Sequence, residues 1–172
     1  DQPVGESVDW APRAAVPVGA MVGTHVRLVP LSARHTDDLW QSLVLDSLDS
    51  LWTYLFSGPF ERSDVGRQAF GEYVESIEAN PDFEAYCVEV DGKALGHACL
   101  MRDVPPMGVI EVGNIALGER RHRATAATEM IYLLARNVFE VRGYRRFEWK
   151  CDSLNEPSRR AAERFGFTYE GR

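Results

Sequence analysis

Three arginines stand immediately before a run of small residues in the middle of the chain, a pattern suited to binding an anion. The arginines are Arg120, Arg121 and Arg123, and residues 124–128 have the sequence ATAAT. A helix is predicted to begin at this run, and a helix N-terminus already carries partial positive charge and unpaired N–H donors. Small side chains would let a phosphate or pyrophosphate reach that backbone between the cations. A solvated basic turn, partly neutralised by Glu119 and Glu129, is the alternative interpretation, and this stretch alone does not distinguish the two.

A strand–helix–strand unit is predicted to position this cluster. Residues 108–116 and 145–151 have strand character, and residues 124–141 repeat apolar side chains at spacings of three and four. Such a crossover makes the two strands parallel, and ligands of these units bind beyond the carboxyl ends of the strands. Arg121 follows one strand end and Asn155 follows the other, so we expect both at one crevice.

Antiparallel strands and further helices complete one predicted domain, residues 23–172. Alternating apolar and polar residues predict strands at 24–30, 83–90 and 94–102, with a hairpin turn at Asp91-Gly92. Periodicity predicts helices from Thr36, over 63–79 and from about Pro157 to Arg164. A further strand is predicted to begin at Phe167. Residues 1–22 are predicted to form an extended arm, with Trp10 as its anchor on the domain.

Composition and charge limit the class of protein. The 172 residues fit one domain, and 45% hydrophobic with 26% charged residues is typical of a soluble globular chain. A net charge of −7 disfavours nucleic acid as the main partner, and no apolar run is long enough to span a bilayer. The three scattered cysteines predict reduced thiols in a cytoplasmic protein, and the histidines have no metal-ligand spacing. Because the chain begins at Asp1, we expect an earlier piece to have been removed.

The ordered set of motifs resembles the GNAT superfamily of N-acetyltransferases. The set is a strand, RHRATA at 121–126, a helix, a second strand, NEPS at 155–158 and GF at 166–167. The signature of that family at the first motif is Arg or Gln, two residues, Gly, one residue, then Gly or Ala, and here Ala124 replaces the first Gly. The segments VRLVPLSARHTDDLW, GVIEVGNIAL and YRRFEWKCDSLNEPSRRAAERFGF are similar to the branch that acetylates alanine or serine N-termini of ribosomal proteins. The resemblance covers about residues 22–172.

The resemblance implies an α+β fold with α/β/α layers. Its central sheet would be mixed and mostly antiparallel, with a splayed pair of parallel strands that binds CoA. Family members continue past TYEG at 168–171 into another strand, so the resemblance implies a missing C-terminal strand and a truncated C-terminus.

The same resemblance assigns residues to acetyl-CoA, the implied cosubstrate. Backbone N–H groups would bind the pyrophosphate with the help of Arg121, and they belong to Arg123, Ala124, Thr125, Ala126 and Ala127. The pantetheine arm would pair with the backbone around Ile115 and Leu117, like an added strand. Asn155 and Ser158 would contact the cofactor from the other side.

The implied chemistry is acyl transfer from a thioester to an amine. It needs a neutral amine, a stabilised oxyanion and a proton donor for the thiolate. In this branch a serine at the position of Ser158 is proposed as the acid, and simple helix capping is the alternative. Glu111 is the candidate general base, acting through water, because a carboxylate between Ile110 and Val112 in a central strand needs a reason to be there. A structural carboxylate or a substrate anchor is the alternative role of Glu111.

An aromatic stretch, LWTYLFSGPF at 51–60, is the candidate wall of the acceptor pocket. Tyr54 and Phe56 are its candidate substrate-binding residues, although such rings also seal cores under loops. The predicted function is therefore an acetyl-CoA-dependent N-acetyltransferase. Its acceptor would be a primary amine, either a protein N-terminus or a small molecule, that attacks directly in a ternary complex. A CoA-binding module without turnover is the alternative, and a homodimer is left open.

Overall fold

A six-stranded sheet in the order β1 to β6 forms the centre of the protein, whose computed structural model describes residues 2–119 and 123–172. The strands are β1 (Met21–Val22), β2 (Arg27–Pro30), β3 (Phe83–Val90), β4 (Lys93–Val104), β5 (Val109–Leu117) and β6 (Arg146–Trp149). Neighbouring strands are antiparallel from β1 to β5, whereas β5 and β6 are parallel. The predicted mixed, mostly antiparallel sheet with one parallel pair is thus confirmed.

Helices cover both faces of this sheet. They are α1 (Thr36–Trp40), α2 (Asp64–Glu78), α3 (Arg123–Arg136) and α4 (Glu156–Arg164). Both α1 and α3 continue into a wider π-helical turn, at Gln41–Leu45 and Asn137–Val141. One core packs α3 against the sheet through Met130, Leu134 and Ile110, and a second packs α1 and α2 through Leu39, Phe70 and Cys87. Alternate residues of each strand face opposite sides, so the layers are α/β/α, as the resemblance implies.

The predicted strand at 24–30 is shorter than expected because its first residues form a turn. The carboxylate of Glu129 on α3 accepts hydrogen bonds from the backbone N–H groups of Thr24, His25 and Val26 at 2.7, 2.6 and 2.8 Å. Burial opposes ionisation of this carboxyl, but the three N–H donors outweigh it and lower the pKa of Glu129. Glu129 therefore fixes the β1–β2 turn on α3. Met21 and Val22, assigned to the arm from sequence, form β1.

The N-terminal arm and residues 167–172 lie at the two ends of the chain, before and after the helices and strands of the domain. Trp10 anchors the arm as predicted: its indole N–H donates to the Pro105 carbonyl at 3.2 Å, and its ring meets Tyr144 edge-on at 6.0 Å.

The strand predicted from Phe167 is wrong, because residues 167–172 form no strand. A strand needs a neighbouring strand to pair its backbone groups. In the described residues this segment contacts β6 through side chains, namely the rings of Phe167 and Trp149 and the ion pair of Glu170 with Arg146, rather than by backbone pairing. Among the described helices, none is both long and apolar enough to cross a membrane.

Candidate active site

The backbone pairing of the parallel strands β5 and β6 ends at the point where the crevice was predicted. Their pairing runs from Val109 with Arg146 to Val112 with Trp149, where β6 ends. β5 continues to Leu117, so residues 113–117 have a strand neighbour on the β4 side alone among the described residues. A bulge adds one residue to β5 between Gly113 and Ala116, and Asn114 has a φ of 46°. Ile115 and Leu117, the predicted partners of the pantetheine arm, lie on this stretch, which leaves room for an added strand.

The N-terminus of α3 follows this end of β5. Arg121 lies outside the described residues, and α3 begins at Arg123. Ala124 and Thr125 are exposed, Ala127 is half-buried, and Ala126 is buried against the sheet. The first four N–H groups of an α-helix have no acceptor within the helix, so the backbone here can receive an anion.

The start of the loop that leads from β5 to α3 is tightly held. Gly118 donates its N–H to the Leu95 carbonyl at 2.9 Å, and the hydroxyl of Ser42 donates to the same carbonyl at 2.8 Å. A Cβ atom at Gly118 would lie 2.1 Å from Ser42 Oγ and 2.6 Å from the Ser42 carbonyl oxygen. Ser47 Oγ also accepts from the N–H of Glu119 at 3.3 Å. The π-helical turn after α1 therefore fixes where this loop begins.

Asn155 and Ser158 meet at the first turn of α4. The Asn155 side-chain oxygen accepts from the Ser158 N–H at 3.1 Å, so Asn155 is the N-cap. Ser158 itself does not cap the helix with its side chain: its Oγ accepts a hydrogen bond from the Trp149 indole N–H at 3.0 Å. The amide group of Asn155 and the hydroxyl proton of Ser158 are thereby left as donors on the β6 side of the crevice.

Glu111 is buried, with 4% of its side chain exposed, and both of its oxygens are occupied. Arg102 Nη1 lies 2.9 and 2.7 Å from the two oxygens, and Lys150 Nζ donates to Oε2 at 2.6 Å. Lys150 also contacts Glu148. Burial of the Lys150 ammonium opposes its charge, but the bonds to Glu111 and Glu148 outweigh this and raise its pKa. Glu111 is thus a carboxylate held between two cations.

His97 lies on β4, fully buried and opposite Ala116 near the carboxyl end of β5. Its Nε2 is 3.0 Å from the hydroxyl of Tyr73 on α2. Burial lowers the pKa of His97 to about 4, so the ring is neutral near pH 7. This pair places a polar contact in the core between β4 and α2.

The aromatic stretch divides into two parts. Trp52 is buried and Phe60 is half-buried, and both pack against Phe70 and Tyr73, so these rings seal the core. Phe56 is 98% exposed and contributes no packed wall. Tyr54 donates its hydroxyl hydrogen to the Leu154 carbonyl at 3.1 Å, immediately before Asn155. Tyr54 therefore connects this loop to the β6 side of the crevice.

A large cavity lined by described residues lies elsewhere. It has a volume of about 760 Å³ and follows the free edge of β6, between α3, α4 and residues 165–172. Its walls include Phe139, Phe147 and Phe167, with Arg146 and Glu170 at the rim. Within the described part of the chain none of the predicted site residues lines it, although Trp149 and Lys150, which contact Ser158 and Glu111, do.

Sequence reasoning missed the partners of Glu111 and Ser158, which are Arg102, Lys150 and Trp149. It also missed Ser42 and Ser47, which hold the start of the loop that leads to α3. One signal was available: Glu148 and Lys150 stand two apart at a strand end and so share a face. The register that brings this face to Glu111 is a property of the paired strands, and it has no signal in the residue pattern.

Known proteins share this fold. The family model described as "Acetyltransferase (GNAT) domain" matches residues 25–168. A GCN5-related N-acetyltransferase from Brucella melitensis is 39% identical, with a TM-score of 0.87 over 95% of this chain and 73% of that one. A GNAT-family protein from Chromobacterium violaceum ATCC 12472 is 35% identical, with a TM-score of 0.84 over 99% and 86%.

A more distant structure agrees in fold alone. It is RimL, a ribosomal L7/L12 alpha-N-protein acetyltransferase, which is 23% identical, with a TM-score of 0.71 over 94% of this chain and 87% of that one. Among curated protein sequences, none matches the chain significantly. The family model and the two closer structures confirm the resemblance found in the motifs. The chain belongs to the GNAT family of acetyltransferases.

Proposed function

We propose that the protein transfers an acetyl group from acetyl-CoA to a primary amine by direct attack within a ternary complex. The observation that carries this proposal is the gap where β5 runs beyond the last β5–β6 pair, Val112 with Trp149. The N-terminal turns of α3 and α4 lie at the same end of the sheet. Family membership supports acetyl-CoA as the cosubstrate, and the amine is the proposed acceptor.

The residues of the crevice fit the parts of acetyl-CoA, which supplies an activated acetyl thioester when bound. Backbone groups around Ile115 and Leu117 would pair with the amide-bearing arm. The first N–H groups of α3, from Arg123 to Ala127, would bind the pyrophosphate, with Arg121 as a counter-charge. Asn155 uses its oxygen to cap α4, and its amide N–H groups would hold the arm from the β6 side.

The ion pairs of Glu111 affect whether this carboxylate could act as the general base that removes the proton of the amine. A water activated by Glu111 would have to compete with Arg102 and Lys150 for the carboxylate oxygens. The general-base role of Glu111 therefore stays a prediction, and we propose that it holds the charged groups of the acceptor side in place. An α-amino group with a pKa near 8 is about one tenth neutral at pH 7, whereas a lysine amine is less than about one thousandth neutral. A protein N-terminus thus needs little help from a base, which favours it as the acceptor.

Calorimetric titration with acetyl-CoA tests the first half of this proposal, with ATP and NAD as controls. We expect selective binding of acetyl-CoA. The second half is tested by release of free CoA thiol on addition of amines. A peptide with a free N-terminus and no lysine is compared with an N-acetylated peptide that carries one lysine. Thiol release with the first peptide supports the proposed acceptor. Binding without thiol release for any amine would contradict turnover and leave a CoA-binding module.

Replacing Gly118 with alanine should weaken acetyl-CoA binding without touching a cofactor-binding residue. The added Cβ would collide with Ser42 and displace the start of the loop that leads to α3. Overpacking of this kind costs about 1–3 kcal/mol, which the free protein relieves by moving the loop. Binding must move the loop back against that strain, so we expect acetyl-CoA affinity to fall by about tenfold. Calorimetry checks this against Gly5→Ala, a matched substitution with nothing within 4 Å of the new Cβ. Equal affinities of the two variants would show that the loop tolerates displacement.

A further inference from the structure

We propose that Trp149 is a positioning residue, whose indole N–H fixes the Ser158 hydroxyl so that its proton points at the sulfur of CoA. This inference rests on the proposed function. It concerns Trp149, which none of the motifs assigned to any role. Trp149 stands at the last β5–β6 pair, opposite Val112, where the gap opens.

The indole ring is held from several sides, so its N–H has a defined direction. Its backbone is in the sheet, paired with β5. Its ring packs against Phe165 at 6.0 Å and against Phe167 at 5.6 Å between centroids. A tryptophan held in this way presents its single donor at a fixed place, and that donor lies 3.0 Å from Ser158 Oγ.

The serine at the other end of this hydrogen bond is also fixed. Ser158 lies in the first turn of α4, and its N–H is bound by the Asn155 side chain at 3.1 Å. A serine hydroxyl has one proton to donate and two lone pairs to accept with, and the indole uses one of the lone pairs. No described residue accepts a hydrogen bond from this hydroxyl, so its proton is available and must point away from the indole.

This geometry suits the departing thiolate. In the overall reaction the C–S bond of the thioester breaks and a C–N bond forms, the amine loses one proton and the thiolate gains one. A serine hydroxyl is too weak an acid to ionise itself, so its contribution is a hydrogen bond donated to the sulfur as negative charge develops. Accepting the indole N–H polarises the hydroxyl and makes it a better donor. Trp149 thus acts through Ser158.

The acid strength of bound CoA thiol tests this directly, without an acceptor amine. CoA bound to the whole protein is titrated, and its thiolate is followed by ultraviolet difference absorbance against CoA-free protein at each pH. Ser158→Ala should raise the pKa of the bound thiol by about 1, since a hydrogen bond to a charged group is lost. Trp149→Phe frees the hydroxyl to occupy three staggered positions, so we expect a rise of about 0.5, or about threefold.

Two controls separate positioning from packing. Phe165→Leu removes one ring contact of Trp149, but Phe167 and the pairing with β5 still hold the indole, so the thiol pKa should stay at the wild-type value. In the Ser158→Ala background, Trp149→Phe should add nothing, because the group it positions is gone. An unchanged thiol pKa in Trp149→Phe, or an equal rise with and without Ser158, would overturn the inference while the proposed function stood. Failure of the wild-type protein to bind CoA would overturn both.

Discussion

Replacing both Arg102 and Lys150 with methionine is expected to lower the free energy of unfolding by about 3–5 kcal/mol at neutral pH. Glu111 is the reason, because its carboxylate is buried and these two side chains are its cationic partners. Removing both leaves a buried charge without compensation. Each single variant keeps one partner, so we expect each to cost less than half of the double variant. Urea unfolding of the four proteins measures this coupling.

A third substitution provides the control for this result. Adding Glu111→Leu to the double variant removes the stranded charge and should restore most of the lost stability, since well-packed apolar groups replace buried ion pairs at little cost. A double variant that loses no more than the sum of two small single effects would contradict the shared role of the two cations. It would also show that the folded state does not depend on Arg102 and Lys150 to hold Glu111 in the core.

The second large effect is a loss of stability in acid that originates at His97. In the unfolded chain this ring is protonated below about pH 6.5, whereas burial holds its folded pKa at about 4. Between these values the unfolded state binds more protons, so stability falls as the pH is lowered. The difference amounts to about 3 kcal/mol between pH 7 and pH 4.

The comparison of wild type with His97→Gln isolates this contribution. Both proteins lose stability in acid through their paired carboxylates, but the loss should be about 3 kcal/mol smaller in the variant. The quantity measured is the change in urea midpoint with pH, which is independent of any constant cost of the substitution. Tyr73→Phe keeps the burial that lowers the pKa and should retain the wild-type slope. Parallel pH profiles for wild type and His97→Gln would show that the ring is not held neutral.

Local pattern sufficed for most of the fold. Strand alternation, helical periodicity and the Asp91-Gly92 turn act within a few residues, so β3, β4 and the β5–α3–β6 unit lie close to where they were predicted. The strand expected at Phe167 failed because a strand also requires a neighbour, and alternation along one segment carries no information about that neighbour. The turn at Thr24 likewise depends on a carboxylate about one hundred residues away along the chain, Glu129.

In the candidate site, too, local sequence predicted some features and the tertiary structure decided the others. Topology predicted that Asn155 and the start of α3 lie at the ends of two adjacent strands, and the resemblance to the family added Ser158 and Glu111. Only the folded structure paired Glu111 with Arg102 and Lys150, and Ser158 with Trp149. Those pairs depend on strand register, where a slip of one residue turns every side chain to the opposite face. Residue types and spacing therefore determine which groups lie near the crevice. Strand register and packing decide which hydrogen bonds and ion pairs those groups form.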